Sequence, residues 1–142
     1  MGKYRYFELS EFITSDTAKK KGIDNTPSFT VVEHLDNLVS KILEPLRIAY
    51  GKPINVTSGY RSDKLNRAVG GVNGSAHLRG DAADLTASDM PGFKKFVREW
   101  LTKNRIKFDQ CIIEKSGRTE WIHIGIYSST GSQRGQLFEL NA

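Results

Sequence analysis

The segment SAHLRGDAADL, residues 75–85, contains a histidine and an aspartate in a setting that is hard to explain by packing alone. His77 precedes Asp84 by seven residues, and Gly80 and two alanines lie between them. A glycine lets the backbone turn tightly, and small side chains leave room for a bulky group against the chain. Taken alone, this spacing is only weak evidence for a metal site.

A second segment, TEWIHIG at residues 119–125, places Glu120 three residues before His123. The alternating isoleucines predict a strand whose isoleucines face the core, which leaves His123 facing a groove. Positions three apart on a regular strand point to opposite faces, so Glu120 would then point away from His123. We therefore expect the strand to begin at about Trp121, with Glu120 still in the preceding turn.

The two segments together could supply a catalytic metal site. Catalytic zinc commonly takes three protein ligands and keeps one position for water, and His77, Asp84 and His123 would provide such a set. The metal lowers the pKa of its water, and a nearby carboxylate can take the proton, a role for which Glu120 is the best candidate. His34, near the start of a helix, is expected to be a partly exposed helical residue and not a ligand.

A third segment, TSGYRS at residues 57–62, follows a predicted short strand over residues 54–57. Tyr60 and Arg61 should therefore stand at a loop edge. A guanidinium keeps its charge at working pH and can stabilise the oxyanion that forms when water attacks a carbonyl. From this segment alone, a surface salt bridge is the alternative role for Arg61.

The remaining pattern predicts a single α+β domain over residues 1–142, with helices against an antiparallel sheet. One amphipathic helix is indicated by Leu35, Leu38, Val39, Ile42, Leu46 and Ala49, and a second by Phe93, Phe96, Val97, Trp100 and Leu101. Two strands, over residues 108–113 and 121–127, should close the chain. We expect a monomer.

Composition excludes several classes of protein. The single cysteine, Cys111, rules out an internal disulfide and a cysteine zinc cage, and its neighbours predict a buried strand thiol. The net charge of +5 favours anionic partners, but no Arg-rich helix or aromatic platform accompanies it, so a nucleic-acid-binding domain is disfavoured. No secretory signal and no membrane span are predicted, which leaves localisation open, with cytoplasmic synthesis expected.

The segments SGYRS, NRAVGG, SAHLRGDAADL, FDQCIIE and WIHIG together resemble the zinc D-Ala-D-Ala carboxypeptidase family. The family pattern SxHxxGxAxD is matched over residues 75–84, and its ExxH element is matched by Glu120 and His123. The resemblance extends from about residue 30 to residue 127. It implies the hedgehog/D,D-peptidase fold, a zinc ion, and hydrolysis of peptidoglycan stem peptides by a carboxypeptidase or a phage-type endolysin.

Carried over residue by residue, the resemblance implies that zinc is bound by His77, Asp84 and His123. It implies that Glu120 is the base and acid and that Arg61 stabilises the tetrahedral intermediate. Residues expected to contact substrate are Ser75, Tyr60 and Trp121.

Two questions stay open at the level of sequence. The same fold can keep zinc as a binding module without peptidase activity, although Glu120 and Arg61 together favour an enzyme. The bond that is cut is also undetermined, whether by a carboxypeptidase, a dipeptidase or an endopeptidase. Residues 1–25 and 128–142 carry no recognised pattern.

Overall fold

A five-stranded sheet forms the centre of the protein, which a computed structural model describes over residues 1–141. Its strands follow the order β1-β2-β4-β3-β5 across the sheet. All neighbouring strands are antiparallel except β3 and β5, which are parallel. The strands are β1 (Asn55–Ser58), β2 (Ala82–Thr86), β3 (Gln110–Ser116), β4 (Thr119–Gly125) and β5 (Gln136–Asn141).

Six α-helices accompany the sheet within residues 1–141. They are α1 (Leu9–Ile13), α2 (Asp16–Lys21), α3 (Phe29–Leu38), α4 (Glu44–Tyr50), α5 (Asp63–Ala68) and α6 (Met90–Lys103). A π-helical turn, Val39–Leu43, joins α3 to α4, and a 3₁₀ turn, Ala76–Arg79, precedes β2.

One face of the sheet is buried against the long helices. The strand residues on this face alternate along the chain, as a half-buried sheet requires. This face, the core face, comprises Ala83, Leu85, Cys111, Ile113, Ile122 and Ile124, and these side chains share one cluster with the buried residues of α3, α4 and α6. The opposite face is therefore available for polar groups, and we call it the metal face because it carries Asp84 and His123.

The predicted amphipathic helix is confirmed but is not uniform. Its α-helical hydrogen bonding gives way to the π turn just before Pro45, a residue that cannot donate a backbone hydrogen bond. The helix ends at Gly51, which adopts a left-handed conformation with φ 73°.

The predicted antiparallel sheet is wrong in one respect. The sheet is mixed, because the tail forms β5 parallel to β3 at one edge. The predicted start of β4 is also wrong: the strand begins at Thr119, and Glu120 pairs with Lys115 of β3. The turn between β3 and β4 is therefore only Gly117 and Arg118, shorter than the sequence suggested.

Cys111 is a buried strand residue, as predicted. Burial raises the pKa of its thiol to about 12, so the reactive thiolate is essentially absent at neutral pH. In the described residues, no helix has the length and apolar character needed to cross a membrane.

Gly80 gives a test of the loop that delivers the metal-site histidine. It has φ 79°, and a Cβ built there would lie 2.8 Å from the Val31 carbonyl oxygen. Gly80→Ala should lower the free energy of unfolding by more than the roughly 1–2 kcal/mol that a left-handed conformation costs a non-glycine residue. Denaturant unfolding measures this loss.

Gly117→Ala is the matched control, because Gly117 has φ 61° but open space around it. It should show the conformational cost alone. Equal losses in the two variants would contradict a specific steric requirement at Gly80.

Candidate metal centre

Three side chains from different parts of the chain converge on the metal face. His77, Asp84 and His123 each offer one donor atom, and these atoms all lie within 4.8 Å of one another. One oxygen of Asp84, Oδ1, lies 3.1 Å from His77 Nε2 and 3.0 Å from His123 Nδ1. Two imidazoles and one carboxylate are a donor set that zinc accepts in catalytic sites.

Strand pairing positions Asp84 and His123. The two residues are register partners across β2 and β4, so their side chains emerge side by side from the metal face. Burial by itself would raise the pKa of Asp84, but His77 and His123 lower it well below its usual range. Asp84 is therefore a carboxylate at neutral pH, the form that binds a cation.

His77 reaches the site from the 3₁₀ turn and not from a strand. Its Nδ1 donates to the Gly59 carbonyl oxygen at 2.6 Å. This hydrogen bond fixes the tautomer, because a protonated Nδ1 leaves the Nε2 lone pair free for a metal. His77 is only 2% exposed, so its ring is held away from solvent with Nε2 facing Asp84.

Arg61 lies against the same carboxylate. Its Nη2 lies 3.3 Å from Asp84 Oδ2, while its Nε donates to Ser58 Oγ and its Nη1 to Asn66 Oδ1, each at 3.0 Å. The side chain is largely buried, with 15% exposed. A surface salt bridge is therefore excluded, and the guanidinium stands fixed beside the metal ligands with further N–H groups to offer.

Asn66 is a residue of this site that sequence reasoning did not single out. It is 1% exposed, and besides accepting from Arg61 it donates to the Val72 carbonyl oxygen at 2.9 Å. A Cβ on Gly71 would overlap Asn66 Oδ1 and lie 2.7 Å from Arg61 Nη1. The segment NRAVGG, noted only as part of the resemblance, was the available signal for this contact.

Glu120 does not lie beside the metal ligands. Because β4 already begins at Thr119, Glu120 shares the face of Ile122 and Ile124, opposite His123. Its carboxylate contacts Lys94 of α6 at 2.9 Å and Lys115 of β3 at 3.3 Å. The predicted turn position is wrong, and the role of general base stays a prediction for Glu120.

The three residues expected to contact substrate have different placements. The hydroxyl of Ser75 accepts from the His77 backbone N–H at 3.2 Å, so it caps the turn that carries His77. Tyr60 is half-buried against the core, and burial raises its pKa. Trp121 lies on the metal face, and its indole N–H donates to Glu114. Their contacts with substrate stay predictions.

His34 is separate from the metal cluster, as expected. Its Nδ1 lies 2.7 Å from the Arg79 carbonyl oxygen and 3.6 Å from an Asp81 oxygen. Its side chain is 41% exposed.

The converging side chains agree with the family to which the sequence is matched. The chain matches the Peptidase M15 family over residues 5–125. It belongs to that family. The match includes all three converging ligands and Arg61, and it confirms the resemblance found from the motifs.

One curated protein to which this Peptidase M15 chain is similar in sequence is the zinc D-Ala-D-Ala carboxypeptidase of Streptomyces albus G. It is 50% identical over 46 residues, which cover 32% of this chain and 18% of the relative. The chain thus matches less than a fifth of that protein's length.

The convergence of three ligands predicts one tightly bound metal ion per chain. His77→Ala and His123→Ala should each lose most of the metal, because two protein ligands do not hold a catalytic zinc site. Elemental analysis of protein reconstituted with zinc and dialysed measures the content. His34→Ala is the control and should keep the parent's metal. A parent that holds less than about a tenth of an ion per chain after reconstitution would contradict the site.

Proposed function

We propose that this protein is a zinc-dependent peptidase that hydrolyses peptidoglycan stem peptides. The observation that carries the proposal is the juxtaposition of His77, Asp84 and His123 with the buried Arg61 guanidinium. Membership of the Peptidase M15 family supports the reaction type. The zinc D-Ala-D-Ala carboxypeptidase relative supports both the metal and a substrate with a D-alanine terminus.

When bound, zinc would supply a Lewis acid and an activated water. The chain's own residues have separate tasks. His77, Asp84 and His123 would hold the ion, with the Gly59 carbonyl fixing the His77 tautomer. Arg61 would stabilise the negative charge that develops on the carbonyl oxygen during attack, since its position is fixed before the substrate arrives. A carboxylate must also accept and return a proton.

The finer substrate assignment is part of the same proposal. The site lies on a sheet face that also carries the half-buried Trp121, and an aromatic ring there can pack against a peptide. The net charge of +5 suits an anionic cell-wall polymer. We propose a carboxypeptidase or phage-type endolysin acting as a monomer, with the hedgehog/D,D-peptidase fold.

Digestion of purified peptidoglycan tests the substrate class. The zinc-loaded protein should release stem-peptide fragments whose masses identify the bond cut. Loss of a single alanine from a pentapeptide would establish a carboxypeptidase, and release of longer peptides would establish an endopeptidase. Binding without any cleavage would favour the zinc-containing binding module instead.

Arg61→Lys tests the oxyanion role. Lysine keeps the charge but cannot reproduce the planar fork that contacts Ser58, Asn66 and Asp84, so kcat should fall on the order of a hundredfold. Zinc content, measured on the same sample, should stay near one ion per chain.

Arg67→Lys is the matched control, because Arg67 is exposed and pairs with Asp63 one helical turn away. It should keep the parent's activity. Full activity in Arg61→Lys would remove Arg61 from the mechanism.

A further inference from the structure

The regular pairing of β3 with β4 separates two glutamates onto opposite faces of the sheet. Seven consecutive register pairs join the strands, from Gln110–Gly125 to Ser116–Thr119, with no irregularity between them. Side chains of paired residues lie on the same face, and successive residues alternate. Glu120 and Lys115 therefore lie on the core face, whereas Glu114 and Trp121 lie on the metal face.

Glu114 is a near neighbour of one metal ligand, His123, on this face. Its register partner is Trp121, and Ile112, two residues before it on β3, is the partner of His123. Glu114 is thus the diagonal neighbour of His123 across one strand pair. Diagonal neighbours are about 7–8 Å apart at the backbone, a separation that a glutamate side chain can bridge to a water beside the ligand.

The contacts of Glu114 leave it free to move a proton. One oxygen, Oε2, accepts a hydrogen bond from the Trp121 indole nitrogen, which fixes the direction of the carboxylate. Among the residues that the structure describes, no side chain donates to the other oxygen. Glu114 is half-buried, and it is not one of the three converging ligands. Its carboxyl group is held in place by Trp121, and within residues 1–141 no lysine or arginine is paired with it.

Glu120 has the opposite character. Each of its oxygens contacts a lysine ammonium, Oε1 that of Lys94 and Oε2 that of Lys115. The hydrogen bond with Lys94, followed by that with Lys115, lowers its pKa, so it is a weaker proton acceptor than a free glutamate. Its place on the core face also puts the sheet between it and His123.

We propose that Glu114, and not Glu120, is the carboxylate that takes the proton from the attacking water. The proposal rests on the peptidase function above. The water oxygen forms a bond to the substrate carbonyl carbon while one water proton passes to Glu114. The carbon–nitrogen bond then breaks, the proton passes from Glu114 to the leaving amine, and the carboxylate is regenerated. On this assignment, Glu120 and His123 of the ExxH element do not act together in catalysis.

The matched variants Glu114→Gln and Glu120→Gln test the assignment by cleavage of a stem pentapeptide. Glu114→Gln should lose roughly a hundredfold to ten-thousandfold in kcat, the contribution of a general acid-base group. Glu120→Gln should stay within about threefold of the parent. Zinc content should be unchanged in both variants, since neither residue is a ligand. Glu114→Asp, which keeps a carboxylate on a shorter stem, should recover part of the loss.

A second readout does not depend on turnover. With cobalt in place of zinc, the visible absorption of the site changes with pH, and its midpoint responds to charged groups beside the metal-bound water. Glu114→Gln should shift this midpoint, whereas Glu120→Gln should leave it at the parent's value. The shift tests whether Glu114 faces the metal even if the peptide chosen is a poor substrate.

The outcomes separate the two proposals. Parent-like cleavage by Glu114→Gln, or a cobalt midpoint that moves only in Glu120→Gln, would overturn the assignment to Glu114. A parent that binds zinc but cleaves no cell-wall peptide would overturn the proposed function, while the cobalt midpoint would still decide which glutamate faces the metal. Should Glu114→Gln fail to fold, Glu114→Asp takes its place as the test. An altered cobalt midpoint and a reduced kcat in Glu114→Asp would support the assignment. An unaltered midpoint and kcat would overturn it.

Discussion

The pairing of Asp84 on β2 with His123 on β4 is the constraint on which the rest of the site depends. A shift of β4 by one residue in this register would turn His123 into the core and expose the isoleucines beside it, while Asp84 stayed on the metal face. Burial of Ile122, Ile124 and Leu85 therefore holds the ligands on the metal face. The hydrophobic alternation that stabilises the sheet also determines where the metal can bind, so the fold and the site follow from the same pattern.

The third ligand is held by a different means, because His77 lies in a turn. The Gly59 carbonyl fixes its ring, Ser75 caps its turn, and the Arg61 backbone N–H donates to its carbonyl oxygen at 3.1 Å. Arg61 thus contributes to the site through both its backbone and its guanidinium. The loop after β1 and the turn before β2 form one unit, and this explains why the motifs SGYRS and SAHLRG occur together in the sequence.

The sequence was sufficient to predict the residues that converge but not the direction in which Glu120 points. Histidine and aspartate are uncommon in sequence segments as rich in small and apolar residues as those around positions 77, 84 and 123. The alternation of isoleucines along the predicted strand was enough to place His123 on the face opposite the core. Glu120 was different, because its direction depends on where β4 begins. The Ser116–Thr119 pair closes the hairpin over only two residues, and that tight closure puts Glu120 inside the strand. Cross-strand neighbours such as Glu114 cannot be found before the register is known.

The tail shows a related limit of sequence reasoning. Every residue of β5 is exposed, so the strand has no buried face that periodicity could reveal, and it exists through its hydrogen bonds to β3. Its parallel register pairs Phe138 with Ile112 and Leu140 with Glu114, which extends the metal face by two apolar side chains that are 39% and 48% exposed. The metal face thus continues from the largely buried ligands to exposed apolar side chains on the edge strand.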